Sequence, residues 1–397
     1  MDIFPEEPLN LSAADGFGYF PANINQTLSG GRYTIVRKLG WGSRSSTWLA
    51  WEKKGEGDET LYWAIQVFTV AKSKEVEARL LPIFQNEIAR ATYDYPNLVT
   101  SFWERSVRGE HLCFVTSAYG VPFSDVVQGA ANSGRAGLPV HVVQYTTSRI
   151  LDILEALHRK KVMHSGVKLE NVCFRAPTDE DDLQKYFTDS PPAEVYITDG
   201  IPIVRSQPLA HYKVEWDDPV DVVAIWMVLL SGYGHIQVSP YTLENGISYT
   251  SAPETLLGNP MCGLSTDIWM LGCLLFQLLT GNQLFTAAGT AAERLGEIRD
   301  VLQSSIPDAW LGDEVVQALP IANTSTPSLE QKLKQSKSLT EDEASEAYAF
   351  LRRCLVIDPA SRASSRDLEQ DDWVEEGARC ACCYSGYALW EKPARMY

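Results

Sequence analysis

The stretch Asp267-Ile-Trp-Met-Leu-Gly-Cys-Leu-Leu-Phe-Gln-Leu-Leu279 constrains this chain most, because it is apolar nearly all the way round a helical wheel. A helix without a polar face must be buried, so other elements have to surround it. The first third of the chain has a different character. Tyr33-Thr-Ile-Val-Arg-Lys-Leu39, Ser46-Thr-Trp-Leu-Ala-Trp51, Leu61-Tyr-Trp-Ala-Ile-Gln-Val-Phe68 and His111-Leu-Cys-Phe-Val-Thr116 are dominated by β-branched and aromatic residues, as strands are. Between them, Ala78, Leu81, Phe84, Ile88 and Ala91 recur at three or four residues, which predicts a helix over Glu75 to Ala91. Beyond Gly120 the pattern turns helical, with an apolar stripe over Val142 to Leu157. These segments predict an α+β, bilobal chain. It has an extended arm over 1–30, a small β-rich lobe with one main helix over 31–119, a larger, mainly helical lobe over 120–375, and a tail over 376–397.

Composition narrows the function. With 397 residues and 45% hydrophobic content, the chain suits one large core or two coupled lobes. No apolar run approaches the roughly 20 residues that span a bilayer. The start, MDIFPEEPLN, is acidic where a signal peptide would be basic and then apolar, which predicts an intracellular protein. A formal charge of -17 argues against nucleic acid, which needs clustered cations, and makes basic proteins the expected partners. Cys113, Cys173, Cys262, Cys273 and Cys354 sit singly in apolar segments, as reduced core cysteines do. Cys380, Cys382 and Cys383 crowd the tail without a second ligand cluster nearby.

In Leu39-Gly-Trp-Gly-Ser-Arg-Ser-Ser-Thr-Trp-Leu-Ala50 a strand, a glycine-containing turn and a second strand follow one another. Gly40 and Gly42 would let backbone N–H groups approach a phosphate unobstructed. By itself such a hairpin is more often only a turn. Its successors supply the meaning. Ala64-Ile65-Gln66 stands in the position of A-x-K, His164-Ser-Gly-Val-Lys-Leu-Glu-Asn171 in that of H-x-D-x-K-x-x-N, Ala252-Pro253-Glu254 matches A-P-E, Asp267-Ile-Trp269 opens the buried helix, and Asp358-Pro-Ala-Ser-Arg362 matches D-P-x-x-R. In that order these motifs resemble a protein kinase. With Tyr19-Phe-Pro, the G-W-G-S-x-S-S-T-W-L-A hairpin and a long spacer after Asn171, over about 172–221, the chain is most similar to the SR-protein kinase family, especially its short fungal-type members, from about residue 16 to 374.

The resemblance implies a D-F-G box for magnesium, and two segments compete for it. Asp199-Gly200-Ile201 keeps an aspartate but lies too far before Ala252; Gly232-Tyr233-Gly234 lies at an ordinary distance and follows an apolar strand over Val222 to Leu230. Gly232 is the preferred match, which leaves Asp199 in the spacer. Three charged positions of the family are then neutral: Gln66 for the strand lysine, Gly166 for the base that accepts the substrate proton, and Gly232 for the metal ligand. Glu87, the expected helix partner of the lysine, is left alone, and Asn171 remains as the one recognisable metal ligand, a weak holder of Mg²⁺ without a carboxylate. Arg44, Lys38 and Lys72 are the cations that could stand in for the lysine.

Positions that support the fold survive: Glu254 and Arg362 as an ion pair, Asp267 as an anchor of the catalytic loop, His164 and Tyr233 as members of an apolar column. Lys168 also matches, but a loop lysine is usually only solvated. Thr116 would sit behind a nucleotide, with Ser117 to Tyr119 in the hinge, and Ala64 belongs to the same candidate nucleotide-binding set. The resemblance therefore implies a pseudokinase that binds ATP and Mg²⁺ weakly or not at all, requires no cofactor, and acts as a scaffold or regulator of basic or Arg/Ser-rich proteins or of an active kinase. The alternatives are a weak serine/threonine kinase acting on Arg/Ser-rich substrates through Arg44, and a kinase fold reused for another ligand.

Overall fold

A computed structural model describes residues 6–53, 60–88, 98–176, 183, 185–187, 193–198, 201–209, 214–244 and 247–377. The chain divides into two compact units, Met1–Val121 with Cys173–Lys213, and Pro122–Val172 with Val214–Tyr397. Among the described residues, no helix is long and apolar enough to cross a membrane. Cys380, Cys382 and Cys383 lie outside the described residues.

The first unit is built on a six-stranded antiparallel sheet of β1 (Thr27–Leu28), β2 (Tyr33–Gly42), β3 (Ser45–Lys53), β4 (Thr60–Phe68), β5 (Thr100–Ser106) and β6 (Gly109–Thr116), in the order β1-β2-β3-β4-β6-β5. Side chains alternate across a strand, so each strand feeds two faces. Ile35, Trp48, Ala50, Ile65, Val67, Cys113 and Val115 form one core with Phe20 from the arm. Leu49 and Ala64 form another with Ala118, Ala176, Leu183 and Leu209. The sequence reading counted 172–221 with the larger lobe. The structure instead groups Cys173–Lys213 with the first unit, because Leu183 and Leu209 are buried against Leu49 and Ala64. Within this spacer, β7 (Val195–Thr198) and β8 (Ile201–Val204) make a small antiparallel hairpin.

The helix expected over Glu75 to Ala91 differs in its bounds. Helix α1 runs Val70–Ile83 and passes into a π-turn over Phe84–Ile88, while 89–91 lie outside the described residues. Pro82 inside the helix brings no N–H to the ladder, and the Phe84 N–H is shared between the Leu80 and Leu81 carbonyls just beyond it.

The second unit is mainly helical. Its principal helices are α2 (Ser124–Asn132), α3 (Val140–Arg159), α4 (Leu264–Thr280), α5 (Ala291–Leu302) and α6 (Glu341–Cys354). In α4 every residue from Thr266 to Thr280 is buried except Gln277, as the absence of a polar face requires. The apolar run Val222 to Leu230 is not one strand: Val220–Val223 form a helical turn after Pro219, and only Val228–Leu230 are extended.

Candidate functional site

In the second unit, His164 to Asn171 follows the short strand Val162–Met163, which pairs with Gln237–Val238. Asp267, in the first turn of α4 and fully buried, holds the start of this loop. Its Oδ2 accepts the His164 N–H at 2.7 Å and its Oδ1 the Ser165 N–H at 2.8 Å, while His158 Nε2 lies 3.1 Å from Oδ2. His164 packs edge-on against the Tyr233 ring, with centroids 4.9 Å apart. Burial holds its imidazole down to about 4 despite the nearby Asp267 carboxylate, so the ring is neutral at pH 7. Its Nδ1 accepts the Gly166 N–H at 3.2 Å, which places the ring proton on Nε2.

Asn171 is the meeting point of the neutral positions. Its Nδ2 donates to the Gly166 carbonyl at 2.7 Å, and its own carbonyl accepts from Ser231 N–H at 2.6 Å and Ser231 Oγ at 2.9 Å. Gly232 follows in a left-handed conformation, φ 88. A Cβ there would fall 2.3 Å from Asn171 Nδ2, and one at Gly166 would fall 2.9 Å from the same atom. Thus Gly166, Asn171 and Gly232 converge, and the asparagine amide fills the space that side chains at both glycines would need. Asp199, the competing residue, lies outside the described residues.

This donor set does not fit Mg²⁺. It offers one amide oxygen and no carboxylate, whereas the ion is ordinarily held by carboxylates together with phosphate oxygens. Gly232→Ala is expected to lower the thermal midpoint: a Cβ in the left-handed region costs about 1–2 kcal/mol, and the Asn171 side chain must also move. Differential scanning calorimetry against the wild-type chain checks this.

Glu254 and Arg362 form a buried two-toothed pair, Nη1 to Oε1 at 2.7 Å and Nη2 to Oε2 at 2.6 Å. Thr266 Oγ1 adds a hydrogen bond to Glu254 at 2.9 Å, and the guanidinium lies over the Trp269 ring. Lys168 is exposed. Beside it lies a cavity of about 440 Å³, which the sequence did not reveal, lined by Glu170, Thr250, Ser251, Arg294 and Glu297 among others.

In the first unit, Gly40 and Gly42 lie on the β2–β3 hairpin with open space where a Cβ would stand. Ala64 pairs with Thr116 in register and is buried, while Thr116, Ser117 and Tyr119 are half-buried. Gln66 on β4 donates through Nε2 to Ser45 Oγ at 2.8 Å, so its amide turns toward the hairpin. Glu87 falls in the π-turn, half-buried.

The three cations that could replace a lysine already face carboxylates. Lys72 Nζ meets Glu75 Oε2 at 2.8 Å, and Arg44 Nη2 lies 3.7 Å from Glu75 Oε1. Lys38 is not a phosphate ligand in waiting: it is fully buried, bonded to Glu6 at 2.6 Å, to Glu7, and to the Val204 carbonyl at 3.0 Å. These partners are not legible from the sequence. The one hint was a lysine next to Leu39 in an apolar strand, since a buried ammonium requires a counter-charge.

The model for "Protein kinase domain" matches residues 235–374. The serine/threonine-protein kinase SRPK of Physarum polycephalum is 24% identical over 415 residues, covering 94% of this chain and 93% of that protein. SRSF protein kinase 3 of Mus musculus is 31% identical over 160 residues, 39% of this chain and 27% of the relative. Protein kinase dsk1 of Schizosaccharomyces pombe is 29% identical over 170 residues, 42% and 30% respectively. The chain thus matches nearly all of the Physarum protein and under a third of the other two. A crystal structure of a kinase domain superposes with a TM-score of 0.58 at 18% identity, covering 90% of this chain and 98% of the other.

Proposed function

We propose, for a chain that belongs to the protein kinase superfamily and is a homologue of the SR-protein kinases, that it does not transfer phosphate and acts by binding. The observation that carries this reading is the convergence of Gly166, Asn171 and Gly232. Kinase chemistry is mostly positioning and charge stabilisation, and these positions supply neither a base nor a carboxylate for metal. Gln66 adds a third neutral position, and its amide is bonded to Ser45. Substitution by Lys38, Lys72 or Arg44 is disfavoured because Lys38 is bonded to Glu6 and Glu7, while Lys72 and Arg44 both face Glu75. ATP binding is weak or absent on this reading, and no cofactor is required.

The supports of the fold point the same way. The Asp267 anchor and the Glu254–Arg362 pair are intact, so a scaffold is kept where the chemistry is lost. The partners that suit a chain of charge -17 are basic, and the names of the relatives direct the choice to Ser/Arg-rich proteins or an active kinase that serves them. Such a partner places the chain inside the cell, in cytoplasm or nucleus.

The test is phosphate incorporation from labelled ATP with Mg²⁺ or Mn²⁺ into an Arg/Ser-rich peptide by the full chain. Incorporation no higher than that of a Gln66→Ala control is expected. A rate clearly above the control sinks the proposal.

A further inference from the structure

We propose that the N-terminal arm, residues 6–19, is a strap that immobilises the glycine hairpin, and that its release is a conformational switch of the first unit. The arm grips at three places. Glu6 and Glu7 both bond the buried Lys38 of β2, and Glu6 also accepts from Ser206 N–H at 2.6 Å and Ser206 Oγ at 2.8 Å. Glu6 therefore ties β2 at Lys38 to the spacer at Ser206. At the next place, the Phe17 and Gly18 carbonyls accept the Ala71 and Val70 N–H groups at 3.2 and 3.0 Å. These are first-turn donors of α1, which no intrahelical carbonyl can satisfy. At the third, Tyr19 donates its hydroxyl to the Gly42 carbonyl at 2.7 Å, and Trp41 packs edge-on against its ring.

The arm is thus bonded to β2 at Lys38, to the glycine hairpin at Gly42 and to the helix that follows β4. Its fit to α1 is close. Gly18 has φ +80 and would bring a Cβ within 3.2 Å of the Val70 side chain, so glycine is what lets the arm lie against the helix. Tyr19 is fully buried, and burial pushes its phenol up to about 12, so it stays a donor throughout the physiological range. The glycine hairpin has open space where side chains at Gly40 and Gly42 would stand. Tied at Gly42 and Lys38, it is held in one position, and a partner that draws the arm away frees it.

Hydrogen exchange of the full chain tests the strap without any need for catalysis, so its outcome stands apart from the phosphate-transfer assay. Tyr19→Phe removes one neutral hydrogen bond and leaves the ring in place. Exchange of the amides over 41–46 is expected to quicken about fivefold, while peptides from α3 in the other unit keep their rates. The triple variant Glu6→Gln, Glu7→Gln, Lys38→Met removes the buried charges together and so leaves none unpaired. Exchange at Ser206 and over 6–9 is expected to rise about tenfold or more, since charge-assisted bonds are the stronger kind. Unchanged exchange over 41–46 in Tyr19→Phe, or unchanged exchange at Ser206 in the triple variant, overturns the strap.

Discussion

Arg362→Ala lowers the stability of the chain by about 3–5 kcal/mol, the ordinary result of removing one partner of a buried ion pair. The reason is what remains. Glu254 is 2% exposed, and without Arg362 its carboxylate keeps only the Thr266 hydroxyl as a donor from the present set. The guanidinium also donates to the carbonyls of Val356 at 2.7 Å and Ser265 at 3.0 Å, so three segments lose a common tie. Each kcal/mol shifts the midpoint by about 2–4 °C in a unit of a few hundred residues. A fall of roughly 10 °C is therefore expected by calorimetry. The double variant Glu254→Gln, Arg362→Met should recover part of it, because the cost of an unpaired buried charge disappears. If the double variant melts below the single one, packing rather than charge sets the effect.

Acidification is the second large effect. His164 is buried and its pKa is held down to about 4, against an ordinary value near 6.5. Between those values the unfolded chain takes up the proton and the native chain does not. Stability must therefore fall as pH drops from about 6.5 to about 4, by on the order of 3 kcal/mol if His164 acts alone. Glu7 works in the opposite sense: burial raises its carboxyl, the native state takes the proton first, and acidification favours the fold. His164→Phe separates the two. That variant loses the acceptor of the Gly166 N–H but should show a flatter midpoint against pH across the window. Parallel profiles for the two chains would remove His164 as the source.

Much of the fold was legible because it depends on periodicity. The strands at Tyr33, Ser46, Leu61 and His111 and the buried helix after Asp267 all follow from side-chain pattern, and pattern is what burial selects. Pattern fails where long-range contact decides. Nothing local in Leu183 or Leu209 says that they pack on Leu49 and Ala64, so the spacer was assigned to the other unit. The run from Val222 to Leu230 read as one strand because apolarity alone does not distinguish a helical turn from a strand. At the candidate site, the motif order identified which residues to compare, and Gln66, Gly166 and Gly232 are uncharged in the sequence itself. What the sequence could not supply was direction: that Asn171 turns its amide onto Gly166 and occupies the space beside Gly232, or that Lys38 turns inward to Glu6 and Glu7.

The sharing of one core by two distant segments bears on how the chain reaches its structure. Leu49 and Ala64 are made before Leu183 and Leu209, yet the face they form is closed by those later residues. A nascent chain that has emerged only as far as Val121 holds all six strands of the sheet but leaves that apolar face uncovered. The intervening segment Pro122–Val172 belongs to the other unit, so the first unit cannot close until synthesis has passed Leu209, nor the second until it has passed Val214 and beyond. Pairing across such sequence separation is slow, and the exposed face is the kind of surface that chaperones hold during that wait.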